Sequence, residues 1–222
     1  MAYVFLQCRD ETCRLRFPAP AAEAAGLACP RCRGPLAMAA VVERAPFTPL
    51  ARGPRPPLVA LLDNIRSIHN VGSIFRSADG AGVDHLHLLG ITATPEHPRL
   101  AKAALGAHET VAWTHHRHGP HAAARLRDEG FALWALERTA EPAPSLSLYE
   151  AELPPGPLAL IVGNERAGVD PDLLALCDGV FGLPMSGGKS SLNVAVAFGI
   201  AVYHLRFGMV AIRAGYGRGE ER

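Results

Sequence analysis

Two glycine-rich loops, Gly163-Asn164-Glu165-Arg166-Ala167-Gly168 and Met185-Ser186-Gly187-Gly188-Lys189-Ser190, constrain the fold of this chain more than any other feature of its sequence. The first leaves the apolar run Leu158 to Val162 and ends at Asp170-Pro171, a helix N-cap followed by proline at the first helical position. The second leaves another short apolar run and enters a long apolar helix at Ser191-Leu192-Asn193. A strand that runs through glycine into a helix gathers backbone N–H groups at the strand's carboxyl end, where open α/β sheets bind ligands.

The rest of the chain after Leu58 agrees with that class. Apolar runs at Leu58-Leu62, His85-Leu89, Thr110-Trp113, Ala132-Leu136, Leu158-Val162 and Val180-Leu183 alternate with helix-length amphipathic stretches, which predicts an α/β fold with a largely parallel sheet. Pattern alone suggests a doubly wound sheet. The proline-rich stretch Glu141 to Pro157 reads as a long surface loop, and the polar, glycine-rich end, residues 209–222, as a tail that frays. Cys177 reads as a packing residue in an apolar helix.

Ahead of this domain stands a different kind of sequence. Cys8-x4-Cys13, fifteen intervening residues and Cys29-Pro-Arg-Cys32 form two short cysteine turns, the spacing by which four thiolates surround a structural Zn²⁺. Residues 1–45 are too few to fold on apolar burial alone, so a metal would supply missing stability; a degenerate or metal-free knuckle is the second reading, and a disulfide pair or redox chemistry explains the same cysteines less well. Arg9, Arg14, Arg16, Arg31 and Arg33 lie beside the cysteines, either as a solvated surface or as groups that meet RNA phosphate bidentately. Five prolines in residues 46–57 mark a stiff linker and the start of a domain over 58–208.

Charge and hydropathy narrow the setting. The net charge of +1 announces no polyanion-binding field, yet residues 1–56 carry eight basic against four acidic side chains. No apolar run is long enough to cross a membrane and Met1 to Phe17 lacks the apolar core of a signal peptide, so a cytoplasmic protein without membrane partners is expected.

A third stretch, Asp63 to Arg76, follows the strand at Leu58. Asn70 is placed to cap a helix, and Gly72 to admit a ligand or another backbone. Arg76 projects from that helix. Three patterns stand in order: N-x-G-x-x-x-R at Asn70, Gly72 and Arg76; G-x-E-x-x-G at Gly163, Glu165 and Gly168; and P-M-x-G-x-x-x-S-L-N at Pro184, Met185, Gly187, Ser191, Leu192 and Asn193. Together they resemble the signature motifs of the SpoU/TrmH branch of the SPOUT RNA methyltransferases, over about residues 57–207. Ala195 stands where that family usually has a hydroxyl or small residue, and the cysteine-rich start lies outside its core.

The resemblance implies S-adenosylmethionine as methyl donor, a deep trefoil knot in the C-terminal third, a homodimer, and methylation of a ribose 2′-hydroxyl in tRNA or rRNA. Ile161, Gly163, Asn164, Gly168, Leu183, Met185, Gly187 and Leu192 would line the donor pocket. Arg76 would stand at the hydroxyl, either losing a proton transiently or holding a phosphate while water takes the proton. Asn70 and Asn193 would position Arg76 or the ribose, and Glu165 would accept hydrogen bonds from the same network or from a partner subunit. Ser191 would either cap the helix or touch the substrate.

Competing readings fail on register. A P-loop ending at Gly188-Lys189-Ser190 needs glycine at 183, where Leu183 stands, and no G-x-G-x-x-G follows the first strand. The histidines at 108, 115, 116, 118 and 121 fit no single helix face or metal knuckle and are expected on a solvated loop. The alternative in kind is a non-catalytic zinc-ribbon RNA-binding protein whose second domain serves dimerisation. Arg76, Glu165 and Asn193 together argue against it, since a scaffold needs none of these side chains at those places.

Overall fold

The computed structural model describes residues 2–43, 46–50, 55–138 and 145–208, and it divides into two compact units between residues 53 and 54. The expected tail over 209–222, and the parts of the linker and of the Glu141–Pro157 loop that fall in 51–54 and 139–144, lie outside the described residues.

In the first unit β1 (Tyr3–Cys8), β2 (Arg16–Pro20) and β3 (Leu36–Val42) form an antiparallel sheet in the order β2-β1-β3. Alternation along β1 buries Val4, Leu6 and Cys8. Among the described residues its apolar centre is Val4, Leu6 and Ala19 with Phe17, Ala24 and Leu36 packed around them, too little to hold a fold unaided.

The second unit runs β4 (Leu58–Asp63), α1 (Ile68–Ala81), β5 (His85–Leu89), α2 (Pro98–Ala104), α3 (Ala107–Thr110), β6 (Ala112–His116), α4 (Gly119–Asp128), β7 (Ala132–Leu136), β8 (Leu146–Ser147), β9 (Leu158–Val162), α5 (Pro171–Leu174), β10 (Gly179–Gly182) and α6 (Val194–Tyr203). All seven strands pair in parallel, in the order β6-β5-β4-β9-β7-β10-β8. Every residue of β4 and β9 is buried, as expected for central parallel strands covered on both faces. Alternate side chains supply two cores. Ala60, Leu62, Leu86, Leu88, Leu160 and Val162 pack with Ile74, Phe75 and Phe198 of α1 and α6; Val59, Leu61, Leu133, Ala159 and Ile161 pack with Ala123, Leu126 and Leu173 of α4 and α5.

Several local expectations are corrected. The third strand begins at Ala112, not Thr110, because Thr110 closes α3: its hydroxyl donates to the Ala107 carbonyl at 3.0 Å and to Asp79 at 2.8 Å. Ser67, not Asn70, caps α1, its hydroxyl accepting from the Asn70 amide. The backbone alternative at Gly72 is the one used, since a Cβ there would stand 2.5 Å from the Ala103 Cβ of α2. The histidines do not share a solvated loop. His115 and His116 lie on β6, and His118 caps α4 by accepting from the His121 amide. His116 reaches across to His87, Nε2 to Nδ1 at 3.0 Å, and burial, aided by His85 and His116, pushes His87 down to about 3. Cys177 lies half-buried just beyond α5, whose last residue is Leu174; its thiol donates to the Leu173 carbonyl, and burial pushes it up to about 12, consistent with packing. No helix among the described residues is long and apolar enough to cross a membrane.

Candidate active site at the carboxyl ends of the central strands

An open cavity of about 350 Å³ lies where β9, β7 and β10 end. Leu136, Val162, Leu183, Met185 and Leu192 give it apolar walls, and the segments 163–166 and 190–194 form its lips.

The first glycine-rich loop is closed on itself. The Asn164 and Gly168 amides each donate to the other's carbonyl at 2.9 Å. A Cβ on Gly163 would run into the backbone of Gly168 and Val169, so only glycine lets the loop double back this tightly. The Asn164 side chain accepts from the Arg166 and Ala167 amides and donates to the Asn64 carbonyl at 2.7 Å, which ties the loop to the end of β4. Buried Asp63 makes a second tie by accepting from the Asp170 amide at 2.8 Å, and burial raises its carboxyl above the usual range.

Closing the loop projects Glu165 over the start of α1. Its carboxylate accepts from the Arg66 amide at 2.9 Å, the Ser67 amide at 3.0 Å and Asn70 Nδ2 at 2.8 Å. Partial burial pushes its pKa up, but these donors outweigh burial and the net displacement is downward. Asn70 Oδ1 in turn accepts from Asn193 Nδ2 at 3.0 Å, and Asn193 Oδ1 accepts from the Ala195 and Val196 amides. Asn193 is therefore the N-cap of α6, the role expected as one alternative for Ser191. The line Glu165–Asn70–Asn193 joins three stretches that are 95 and 123 residues apart in sequence.

The residues named from sequence separate into two groups. Gly163, Asn164, Glu165, Gly168, Leu183, Met185, Ser191, Leu192 and Asn193 line the cavity, and Asn70 is bonded to two of them. Ile161 does not line it. As the neighbour of Val162 on a strand it faces the other way, into the α4 and α5 core. Gly187 is exposed, with no atom within 4 Å of where a Cβ would stand. Arg76 is exposed, away from the cavity, beside a shallow depression shared with Ser73, Ser77 and Tyr203. It lies six residues beyond Asn70 on α1, about 120° round the helix and about 9 Å along it.

Sequence reading missed Glu137 and Arg138. Glu137 accepts from the Val169 amide at 3.0 Å and from the Arg138 amide at 2.8 Å, and Arg138 Nη1 donates to the Ser190 carbonyl at 2.8 Å, so this pair holds both glycine-rich loops. No motif marks them. Their place directly after β7 was the available signal, because ligands gather at carboxyl ends of such strands.

The cysteines form a separate centre in the first unit. Cys8 and Cys32 sulfurs lie 3.4 Å apart, Cys13 and Cys29 sulfurs 3.7 Å, and all four within 4.8 Å of one another. These are not disulfide lengths, and a Zn²⁺ with 2.3 Å bonds to four thiolates requires sulfur separations of about 3.8 Å. The set could hold a zinc ion. The Cys32 amide, followed by that of Arg31, outweighs burial to draw Cys29 down to about 7.

Comparison with known proteins agrees with this geometry. The SpoU rRNA Methylase family model matches residues 57–203. The 23S rRNA (guanosine-2′-O-)-methyltransferase RlmB of Vibrio parahaemolyticus is 33% identical over 147 residues, which are 66% of this chain and 58% of that protein. RlmP of Bacillus subtilis, a 23S rRNA guanosine 2′-O-methyltransferase, is 37% identical over 150 residues, 67% of this chain and 57% of that one. The crystal structure of an AdoMet-bound rRNA methyltransferase from Sinorhizobium meliloti has a TM-score of 0.62 at 25% identity, covering 69% of this chain and 57% of that chain. This chain thus spans less than two thirds of the length of these relatives. With two signature stretches lining one cavity, Asn70 of the third bonded to both, and a family match over most of the second unit, the chain belongs to the SpoU rRNA methylase family.

Proposed function

We propose that this protein is an S-adenosylmethionine-dependent RNA methyltransferase acting on a ribose 2′-hydroxyl, with ribosomal RNA the foremost substrate class and tRNA the second. The observation that carries this reading is the line Glu165–Asn70–Asn193, which fixes both lips of the cavity to α1. The residues present fit the donor. A cavity of about 350 Å³ falls in the range of small-ligand sites, with apolar walls for an adenosine. The Glu137 and Glu165 carboxylates at its edge are engaged with backbone amides. The donor would supply a methyl group already activated on sulfonium. The chain's own task is to orient: of the residues that line the cavity, Leu183, Met185 and Leu192 would enclose the donor, Gly163 to Gly168 would offer backbone groups, and Asn193 and Ser191 would position the ribose.

Arg76 has the role of an electrostatic and positioning group in this proposal, because a guanidinium is a poor base and it stands exposed where a phosphate can reach it. Its distance from the cavity supports a homodimer in which each Arg76 serves the other copy's site. The face beside Arg76 supports this too. Val196, Ile200, Tyr203 and Phe207 make an exposed apolar stripe at helical spacing along α6 and the turn that follows. The expected trefoil knot belongs to the proposal as well: β10 lies between β7 and β8 in the sheet, and the Arg138–Ser190 bond ties the chain just beyond β7 to the second glycine-rich loop. The domain limits 1–45 and 58–208, a zinc ion on the four cysteines and a cytoplasmic workplace complete the reading.

The test is transfer of labelled methyl from S-adenosylmethionine to 23S rRNA and bulk tRNA. Arg76→Ala and Asn193→Ala are each expected to be inactive while folded, and their mixture to recover part of the activity because one mixed site holds both wild-type residues. Absence of any transfer and of a donor-dependent thermal shift in the wild type refutes the enzyme; a mixture as inactive as its components refutes the shared site.

A further inference from the structure

Arginine in a left-handed backbone conformation is uncommon, because its Cβ crowds the next carbonyl oxygen. The first unit holds two, Arg14 at φ +46° and Arg33 at φ +62°. Each directly follows the second cysteine of its pair, Cys13 or Cys32. The backbone serves the same purpose at both, the Arg14 amide donating to the Asp10 carbonyl and the Arg33 amide to the Cys29 carbonyl, each at 2.8 Å. Glycine would make either bond without strain. The turn therefore gives no reason for a large side chain at either place, and the repetition in both knuckles points to a use for the guanidinium itself.

The surroundings leave both free for a ligand. Arg14 and Arg33 are exposed, as are Arg9, Arg16 and Arg31, and none of the five is in an ion pair among the described residues. Arg16 lies 5.7 Å from the centre of the Phe5 ring. The Asp10 carboxylate is turned back on its own loop, accepting from the Thr12 amide and hydroxyl and the Cys13 amide, which leaves Glu11 as the other acid on the knuckles. Residues 1–53 contain seven arginines and no lysine. That selection suits planar, bidentate donation to phosphate more than a diffuse positive field, and the −2 charge of a zinc tetrathiolate would cancel much of such a field anyway. The four sulfurs, all within 4.8 Å of one another, hold the two arginine-bearing turns side by side.

We propose that the knuckle face of the first unit is a phosphate-binding surface for RNA, with Arg14 and Arg33 as its two principal contacts. It takes RNA as partner on the strength of the methyltransferase reading, and gives that enzyme a point of attachment on a different unit from the one that holds the donor cavity. Glycine at either position should keep or improve the fold of the knuckle while removing a phosphate contact.

The experiment uses the full chain and a fluorescein-labelled single-stranded oligouridylate of about 20 nucleotides, with no methyl donor present, and follows anisotropy against salt. Arg14→Gly and Arg33→Gly are each expected to retain one equivalent of zinc, to weaken binding about three- to tenfold at 0.15 M salt, and to lower the salt slope by about one. Arg14→Asn and Arg33→Asn, which also tolerate the left-handed conformation, should do the same. Wild-type affinity and slope in zinc-loaded Gly or Asn variants overturns the proposal. Zinc loss in both kinds of variant overturns it too, because the arginines would then be structural. Methyl transfer by the wild type, measured in parallel, separates the two readings: its absence with variant-sensitive binding condemns only the enzyme, and its presence with insensitive binding condemns only the phosphate surface.

Discussion

Replacing Glu165 by glutamine exchanges one carboxylate oxygen for an NH₂ group, and the three partners determine the consequence. Oε1 accepts from the Ser67 amide and from Asn70 Nδ2, and Oε2 accepts from the Arg66 amide. All three are donors, so glutamine can satisfy one side only and must aim its own N–H at an N–H on the other. A hydrogen bond to a charged acceptor contributes about 1.5–3 kcal/mol, and because water reaches this exposed side chain about 1 kcal/mol is expected for the loss. In a chain of this size that lowers Tm by about 2–4 °C. The sign with pH follows from the lowered Glu165 pKa. A carboxylate held below its ordinary value of 4.5 stabilises the fold above that pH, and its contribution fades as pH falls through the lowered value. The wild-type advantage over Glu165→Gln should therefore be full at pH 7 and shrink below about 4.5. Loosening Asn70 also loosens Asn193 and the lip it caps, so affinity for S-adenosylmethionine should fall about tenfold, or about 1.4 kcal/mol. Differential scanning fluorimetry across pH and titration calorimetry with the donor read both effects. Equal Tm at pH 7, or a donor affinity untouched by the change, refutes the claim that this carboxylate organises the site.

Other perturbations test other parts of the structure. Gly163→Ala forces a Cβ into the Gly168–Val169 backbone, which is itself pinned by the paired Asn164 and Gly168 bonds; urea unfolding should show a loss of about 1–3 kcal/mol, whereas Gly187→Ala, in open space, should be neutral. Metal binding requires four thiolates, and with Cys29 at about 7 and Cys8, Cys13 and Cys32 raised above the usual thiol value, binding zinc releases protons. Zinc content by mass spectrometry should thus fall as pH is lowered below 7, and Cys29→Ser should lose the metal at neutral pH; zinc content indifferent to both would sink the site.

The sequence reading succeeded where a single residue type has a single physical use and failed where a partner decides. Gly163 was legible because no other residue permits the loop's close return, and the buried strands β4 and β9 because uninterrupted apolar runs have nowhere else to go. Asn70 was read as a cap, and capping was one of two readings for Ser191, because a polar side chain near a helix start has several possible partners. Only the fold reveals that Ser67 and Asn193 take the amides, freeing Asn70 to join Glu165 to Asn193. Ile161 and Val162 are indistinguishable by hydropathy, and the pleat alone sends one into the α4 and α5 core and the other to the cavity. Arg76 carries the lesson furthest. A motif is a statement about a working assembly, and the helix that ties Asn70 to the cavity turns Arg76 away from it, towards an exposed face that one chain does not bury. If both residues serve the same reaction, as the proposed homodimer has it, a second copy would complete the site, and the spacing N-x-G-x-x-x-R would then encode an interface as well as a catalytic set.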